Sequence, residues 1–253
     1  MCALFDHERL RVYQGSIEFV AWLEGVFPSI KRSVSACDHL ARASAGVPVN
    51  IAEASGKQSL NERHQFIDIA YGSCLECAAC LDVLSILSCL STEMDREGKG
   101  RLSAVVSMLI GFRKSTGREV REEHVPYETD RGIGDRVWFD HERLDVYRKS
   151  LEFVHWCAGF RQNGIVARSA EVALDRASTG VALNIAEGNG RFSVKDRCRF
   201  IGHARTAALQ AAATLDVLAT RQTELKQNAL NGKELLVDAV RMLVAWQRNL
   251  AET

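Results

Sequence analysis

A chain of 253 residues, 47% of them hydrophobic, can bury two cores of ordinary size, and its 32 basic and 32 acidic side chains cancel. That balance excludes any global electrostatic pull toward nucleic acid or an acidic membrane surface. The most apolar stretch, Cys77 to Leu90, is about fourteen residues long and contains Asp82, short of what a bilayer span requires. Met1-Cys2-Ala3-Leu4 runs straight into a polar helix start, without the basic-then-apolar pattern of a secretory leader. The expectation is a soluble cytoplasmic protein with no membrane partner.

Residues 5 to 118 align with residues 139 to 252 at a constant offset of 134, without a gap and with 45 identities in 114 positions. Two copies of one domain are therefore read in tandem: copy one at 1–118, a linker at 119–138 and copy two at 139–253. Prolines number only three, β-branched alternation is scarce and apolar residues recur at three and four, so the reading is all-α, with four helices per copy. In chain order, the first helix begins behind Asp6 as N-cap, with Phe5 stapled to Leu10, and runs to about Val26. Phe139, Asp140 and Leu144 repeat its start, and Tyr13 and Trp22 recur as Tyr147 and Trp156. A second helix covers roughly residues 30 to 55, continuous but kinked at Pro48, and closes at Gly56, where a left-handed residue is wanted; Gly190 repeats it. A third helix opens on the capping box Ser59-Leu60-Asn61-Glu62, echoed by Ser193-Val194-Lys195-Asp196, and continues to about Leu90. A fourth spans roughly 97 to 117. Such amphipathic helices on short connections make an up-down-up-down bundle, twice. The linker holds Pro126, the Gly132-Ile133-Gly134 run and most of the surplus acid.

The block Arg42-Ala-Ser-Ala-Gly-Val-Pro-Val-Asn-Ile-Ala-Glu53, followed by Gly56, a basic residue, Ser59 and Phe66, resembles the signature of the four-helix-bundle family of 23S rRNA intervening-sequence proteins. It is similar also to accessory proteins of diversity-generating retroelements. Copy two carries Asn184-Ile185-Ala186-Glu187-Gly188 at the same place. The resemblance implies a cytoplasmic bacterial protein whose single bundles assemble into rings, often of five, with no established enzymatic activity. The retroelement relatives imply nucleic acid and a reverse-transcriptase-like enzyme as partners, met through a basic ring surface. Tandem fusion and zero net charge depart from that pattern. Fusion leaves three forms of assembly open: a ring with an even number of bundles, two stacked rings of five built from five chains, or a closed intrachain pair.

Arg42, Asn50 and Glu53, with Arg176, Asn184 and Glu187, stand out because all three recur and are polar on a helix rich in small apolar residues. They are read first as a satisfied buried network or an interface, and second as contacts to a ligand. Copy two, with 16 basic and 13 acidic residues, is the only part that leans basic. In it Arg191, Lys195, Arg199 and His203 are spaced to track a phosphate backbone, with a solvated face as the plainer alternative. Asp6-His7-Glu8 and Asp140-His141-Glu142 suit a helix start better than a metal, and Cys74, Cys77 and Cys80 align with Ala208, Ala211 and Thr214, which points to packing rather than zinc. No catalytic residues, metal or cofactor are expected. The function so read is a non-enzymatic oligomeric scaffold in contact with RNA, DNA or a nucleic-acid enzyme, or else a protein–protein interaction module.

Overall fold

A computed structural model of the chain describes residues 5–30, 34–116, 137–162 and 168–251. Among these residues there are eight α-helices, four short 3-10 turns and no strand. The all-α reading holds. The helices are α1 (Arg11–Val26), α2 (Ser35–Gly56), α3 (Leu60–Ile86), α4 (Thr92–Thr116), α5 (Asp145–Gln162), α6 (Arg168–Asn189), α7 (Val194–Arg221) and α8 (Lys226–Ala251).

Each set of four closes on itself: α1 packs on α2 and α4, and α3 packs on the same two, while α5 to α8 repeat the cycle. A second seam joins the sets, where α6 lies against α3 and α2, and α5 against α3. α3 therefore has apolar neighbours on nearly every side. Ala70, Cys74, Cys77, Ala78, Leu81 and Leu84 are all fully buried on it. This accounts for a helix long and apolar enough to cross a membrane by composition, yet 67% buried in its most apolar window. Small side chains along α3 let two layers of helices approach it closely.

Local signals explain most boundaries. Ser59 accepts a hydrogen bond from the Glu62 N–H and Ser193 from the Asp196 N–H, so both expected N-caps form. α2 runs continuously through Pro48, with the small residues Ala45 and Ser44 in the preceding turn. Three expectations are corrected. Asp6 does not cap α1, because residues Asp6–Arg9 form a 3-10 turn of their own and Leu10 then turns extended, with φ −73° and ψ 124°. Phe5 accordingly stacks on His7, centroids 5.8 Å apart, rather than stapling to Leu10. Gly56 and Gly190 are not left-handed; Gly190 is small because a Cβ there would collide with Leu75 and Tyr71 of copy one. The 119–138 linker lies outside the described residues apart from Val137 and Trp138.

Candidate functional site

The seam between α3, α4 and the start of copy two is built around one ammonium group. Lys99 on α4 is 5% exposed, and its Nζ is hydrogen-bonded to Asp82 and lies 3.3 Å from Glu142 and 3.6 Å from Asp95. The Tyr147 hydroxyl donates to the other Asp82 oxygen at 2.8 Å. Glu142 accepts from the Trp138 N–H at 2.9 Å, and the indole of Trp138 covers Gly100. Burial alone would pull the Lys99 pKa down, but the carboxylates of Asp82, Glu142 and Asp95 outweigh it and hold it above its ordinary value. Three acids share one cation, so burial pushes Glu142 up to about 7 and raises Asp95 as well, against the pull of Lys99.

His141 sits beside this cluster as a neutral ring. It stacks on Phe139 at 5.8 Å and meets Tyr147 edge-on at 4.7 Å. Burial, reinforced by the Lys99 charge, lowers its pKa to about 3, and neither ring nitrogen has a hydrogen-bond partner among the described residues. Asp82, His141 and Glu142 do bring ligand atoms within 4.8 Å of one another. The cation that these acids require is already supplied by Lys99. Cys74, Cys77 and Cys80 are buried thiols whose pKa values burial raises, the opposite of what a thiolate ligand needs.

A second feature is a groove of about 630 Å³ between α2 of copy one and α6 and α7 of copy two. Arg42, Arg176, Asn184 and His203 line it, together with His39 and Asp38. The seam that shapes it is pinned by the Ser35 N–H donating to Asp175 Oδ2 at 2.8 Å. Four of the residues read from sequence thus meet across the two copies. Arg42 Nη2 lies 3.0 Å from His39 Nδ1, which in turn is 2.9 Å from Glu76 Oε1.

The remaining sequence candidates disperse. Arg42 and Glu53 share a face of α2, but eleven residues at ~1.5 Å each put them ~16 Å apart. Glu53 pairs instead with Lys57 at 3.4 Å on the surface. Asn50 donates to the carbonyl of Gly46 in its own helix at 2.7 Å, as the groove-lining Asn184 does to that of Gly180. Glu187 forms an ion pair with Arg191, and burial raises its pKa against that charge. Arg191 is buried, its guanidinium lodged over Gly72 and directed at the Asp68 carbonyl, so it belongs to the seam and not to an open basic face. Lys195 and Arg199 are exposed on α7, where Arg199 pairs with Asp196 at 3.1 Å. Lys99 and Asp82 were missed, although their recurrence as Lys233 and Asp216 was a signal in plain view, and the recurring Tyr13 and Tyr147 were read only as part of the first helix.

Cyclic sets of four helices joined by a charged seam define a helical-bundle protein. Residues 8–111 match the family model described as 23S rRNA-intervening sequence protein, and copy one is a domain of that family. Copy two shares 45 identities in 114 positions with copy one. No curated protein and no solved structure matches the chain.

Proposed function

We propose that the chain is a non-enzymatic, oligomeric, cytoplasmic scaffold that holds the phosphate backbone of RNA or DNA in the groove between its two copies, alone or beside a reverse-transcriptase-like enzyme. The observation carrying this reading is the convergence of Arg42, Arg176 and His203, from three helices and both copies, on one groove. Guanidinium groups meet phosphate oxygens bidentately, and Asn184 and the flanking Thr206 add neutral polar contacts. Modest local charge on a neutral chain fits a weak, salt-sensitive contact rather than tight binding.

Fluorescence anisotropy with labelled single-stranded and duplex oligonucleotides tests it. The Arg42→Glu/Arg176→Glu double variant should weaken binding about tenfold at low salt and flatten the log-log salt slope by roughly 1.4 to 1.8, the value of two lost phosphate contacts. Loss on Lys195→Glu/Arg199→Glu alone would move the contact onto the open face of α7. Binding indifferent to both pairs would remove the nucleic-acid reading.

The second reading, a protein–protein module, is favoured by one specific observation. Leu209, Val217, Leu230 and Val237 are all exposed on α7 and α8.

A further inference from the structure

Positions 134 apart have opposite environments along the seam. On copy two the surface entering the seam is buried: Phe139 is 0% exposed and Leu183 3%, whereas their counterparts on copy one, Phe5 and Val49, are 64% and 61% exposed. On copy one the receiving surface is buried, with Leu75 at 2%, whereas its counterpart on copy two, Leu209, is 56% exposed. Each copy therefore uses one of two complementary surfaces inside the chain and leaves the other open.

Both open surfaces already have the geometry of their engaged counterparts. His7 stacks on Phe5 at 5.8 Å and meets Tyr13 edge-on at 4.8 Å, against 5.8 and 4.7 Å for His141 in the seam. Lys233 Nζ lies 2.7 Å from Asp216 Oδ1, repeating the Lys99–Asp82 pair. Beside Tyr13 a hollow of about 720 Å³ is walled by Ile17, Pro48, Val49 and Gly56. Gly190 is small because Leu75 presses on it, yet the recurring Gly56 has nothing within 4 Å. The hollow has the position and the walls that would take Leu209.

We infer that a second copy of this chain docks its copy-one surface, Phe5, Tyr13 and Val49, onto the copy-two surface, Leu209, Asp216 and Lys233, repeating the intrachain seam between chains. The inference deepens the oligomeric part of the scaffold reading and rests on it. The charges agree: Lys233 on the receiving surface and Glu8 on the entering one stand at the positions of Lys99 and Glu142, which pair at 3.3 Å within the chain. The contact between chains differs from the intrachain one in a defined way. Arg191 over Gly72 becomes Lys57 over Thr206, and the Phe192 ring stacked under Arg113, 4.4 Å from its guanidinium carbon, becomes Gln58 and Gln247. The polar plug is kept and the aromatic clamp is lost, so this joint is the weaker and more reversible of the two. Because the two surfaces are different, the contact is heterologous and propagates head to tail, closing into a ring or continuing as a filament. Where it closes, the two copies of a chain occupy successive places in one ring, which contains an even number of bundles.

Two single variants and their mixture, followed by sedimentation velocity and native mass spectrometry without nucleic acid, form the test. Wild type should assemble beyond a dimer with rising concentration over about 1 to 100 µM, the range of a reversible joint. Val49→Glu removes only the entering surface and Leu209→Glu only the receiving one, and each alone should be monomeric. Their equimolar mixture retains one intact joint and should give a one-to-one dimer and nothing larger. Both positions are exposed in the monomer, and Phe5→Glu with Val237→Glu supplies an independent pair. A monomeric wild type, variants that assemble like wild type, or a mixture that stays monomeric would each overturn the inference. The groove variants at Arg42 and Arg176 should leave this behaviour unchanged, so the nucleic-acid reading and the docking reading fail separately.

Discussion

Lys99 shows how one side chain can decide whether two helical layers stay together. Its ammonium is the only cation within ion-pair reach of Asp82, Asp95 and Glu142 among the described residues, and all three acids are largely removed from water. Removing one partner of a buried charge group leaves the others uncompensated, at a cost of about 3–5 kcal/mol. Lys99→Met should lose stability of that order at neutral pH, measured by urea unfolding. The sign of the pH response follows from protonation: burial already raises Glu142 and Asp95, and with the cation gone they hold protons in the folded state that the unfolded chain has released, so acidification toward pH 5 should recover part of the loss. In the wild type the Lys99 contribution has the opposite reach. Its folded pKa stands above the ordinary 10.5, so its stabilisation is complete below that value and is lost as pH rises through the folded one. A Lys99→Met protein equally unstable at pH 5 and pH 8 would show that the acids are not coupled through this ammonium.

At the scale of the helix, much was legible. Apolar spacing at three and four placed all eight helices, and the capping boxes at Ser59 and Ser193 placed two of their starts. The 3-10 turns before α1 and α5 were not legible, since an acidic first turn reads the same whether or not the helix continues past Leu10. The candidate site was legible only in part. Arg191 was grouped with Lys195 and Arg199 by charge, but it lies in the turn before α7, where α3 of the other copy covers it; spacing along one helix carries no information about that neighbour. Arg42 and Arg176 were singled out by recurrence, and their meeting in one groove is a property of how α2 and α6 cross. Recurrence also marks Gly98 and Gly232, which let the indoles of Trp22 and Trp156 approach α4 and α8 closely within each bundle. A methyl group at either would strike the indole, and forced overpacking costs about 1–3 kcal/mol. Gly98→Ala and Gly232→Ala should each lower the midpoint of thermal unfolding despite the better helix propensity of alanine, while Gly111→Ala, with nothing within 4 Å, should raise it slightly.

For the whole molecule, the seam decides whether the two bundles are separate objects. Core side chains of copy one and copy two belong to one apolar cluster, which includes Leu75, Leu81 and Leu84 of copy one and Leu183 and Ala186 of copy two. The seam adds the Lys99 group, the Arg191 lodgement over Gly72 and the tilted Tyr71–Phe192 ring pair at 5.5 Å. Neither copy can leave without exposing α3, the one helix among the described residues long and apolar enough to cross a membrane, on the side that α6 now covers. The bundles should therefore unfold together, as one calorimetric transition whose van't Hoff enthalpy matches the calorimetric one. Gly190→Leu tests the coupling directly, because its side chain must occupy the space of Leu75 and Tyr71 and so drives α6 away from α3. That variant should show two transitions, the earlier one belonging to copy one, whose α3 loses its cover. The equivalent change at Gly56 meets nothing in the monomer and should leave the single transition in place, while blocking the joint between chains. Two transitions already in the wild type would mean that each bundle is stable alone, and the seam would then be a docking contact between independent domains.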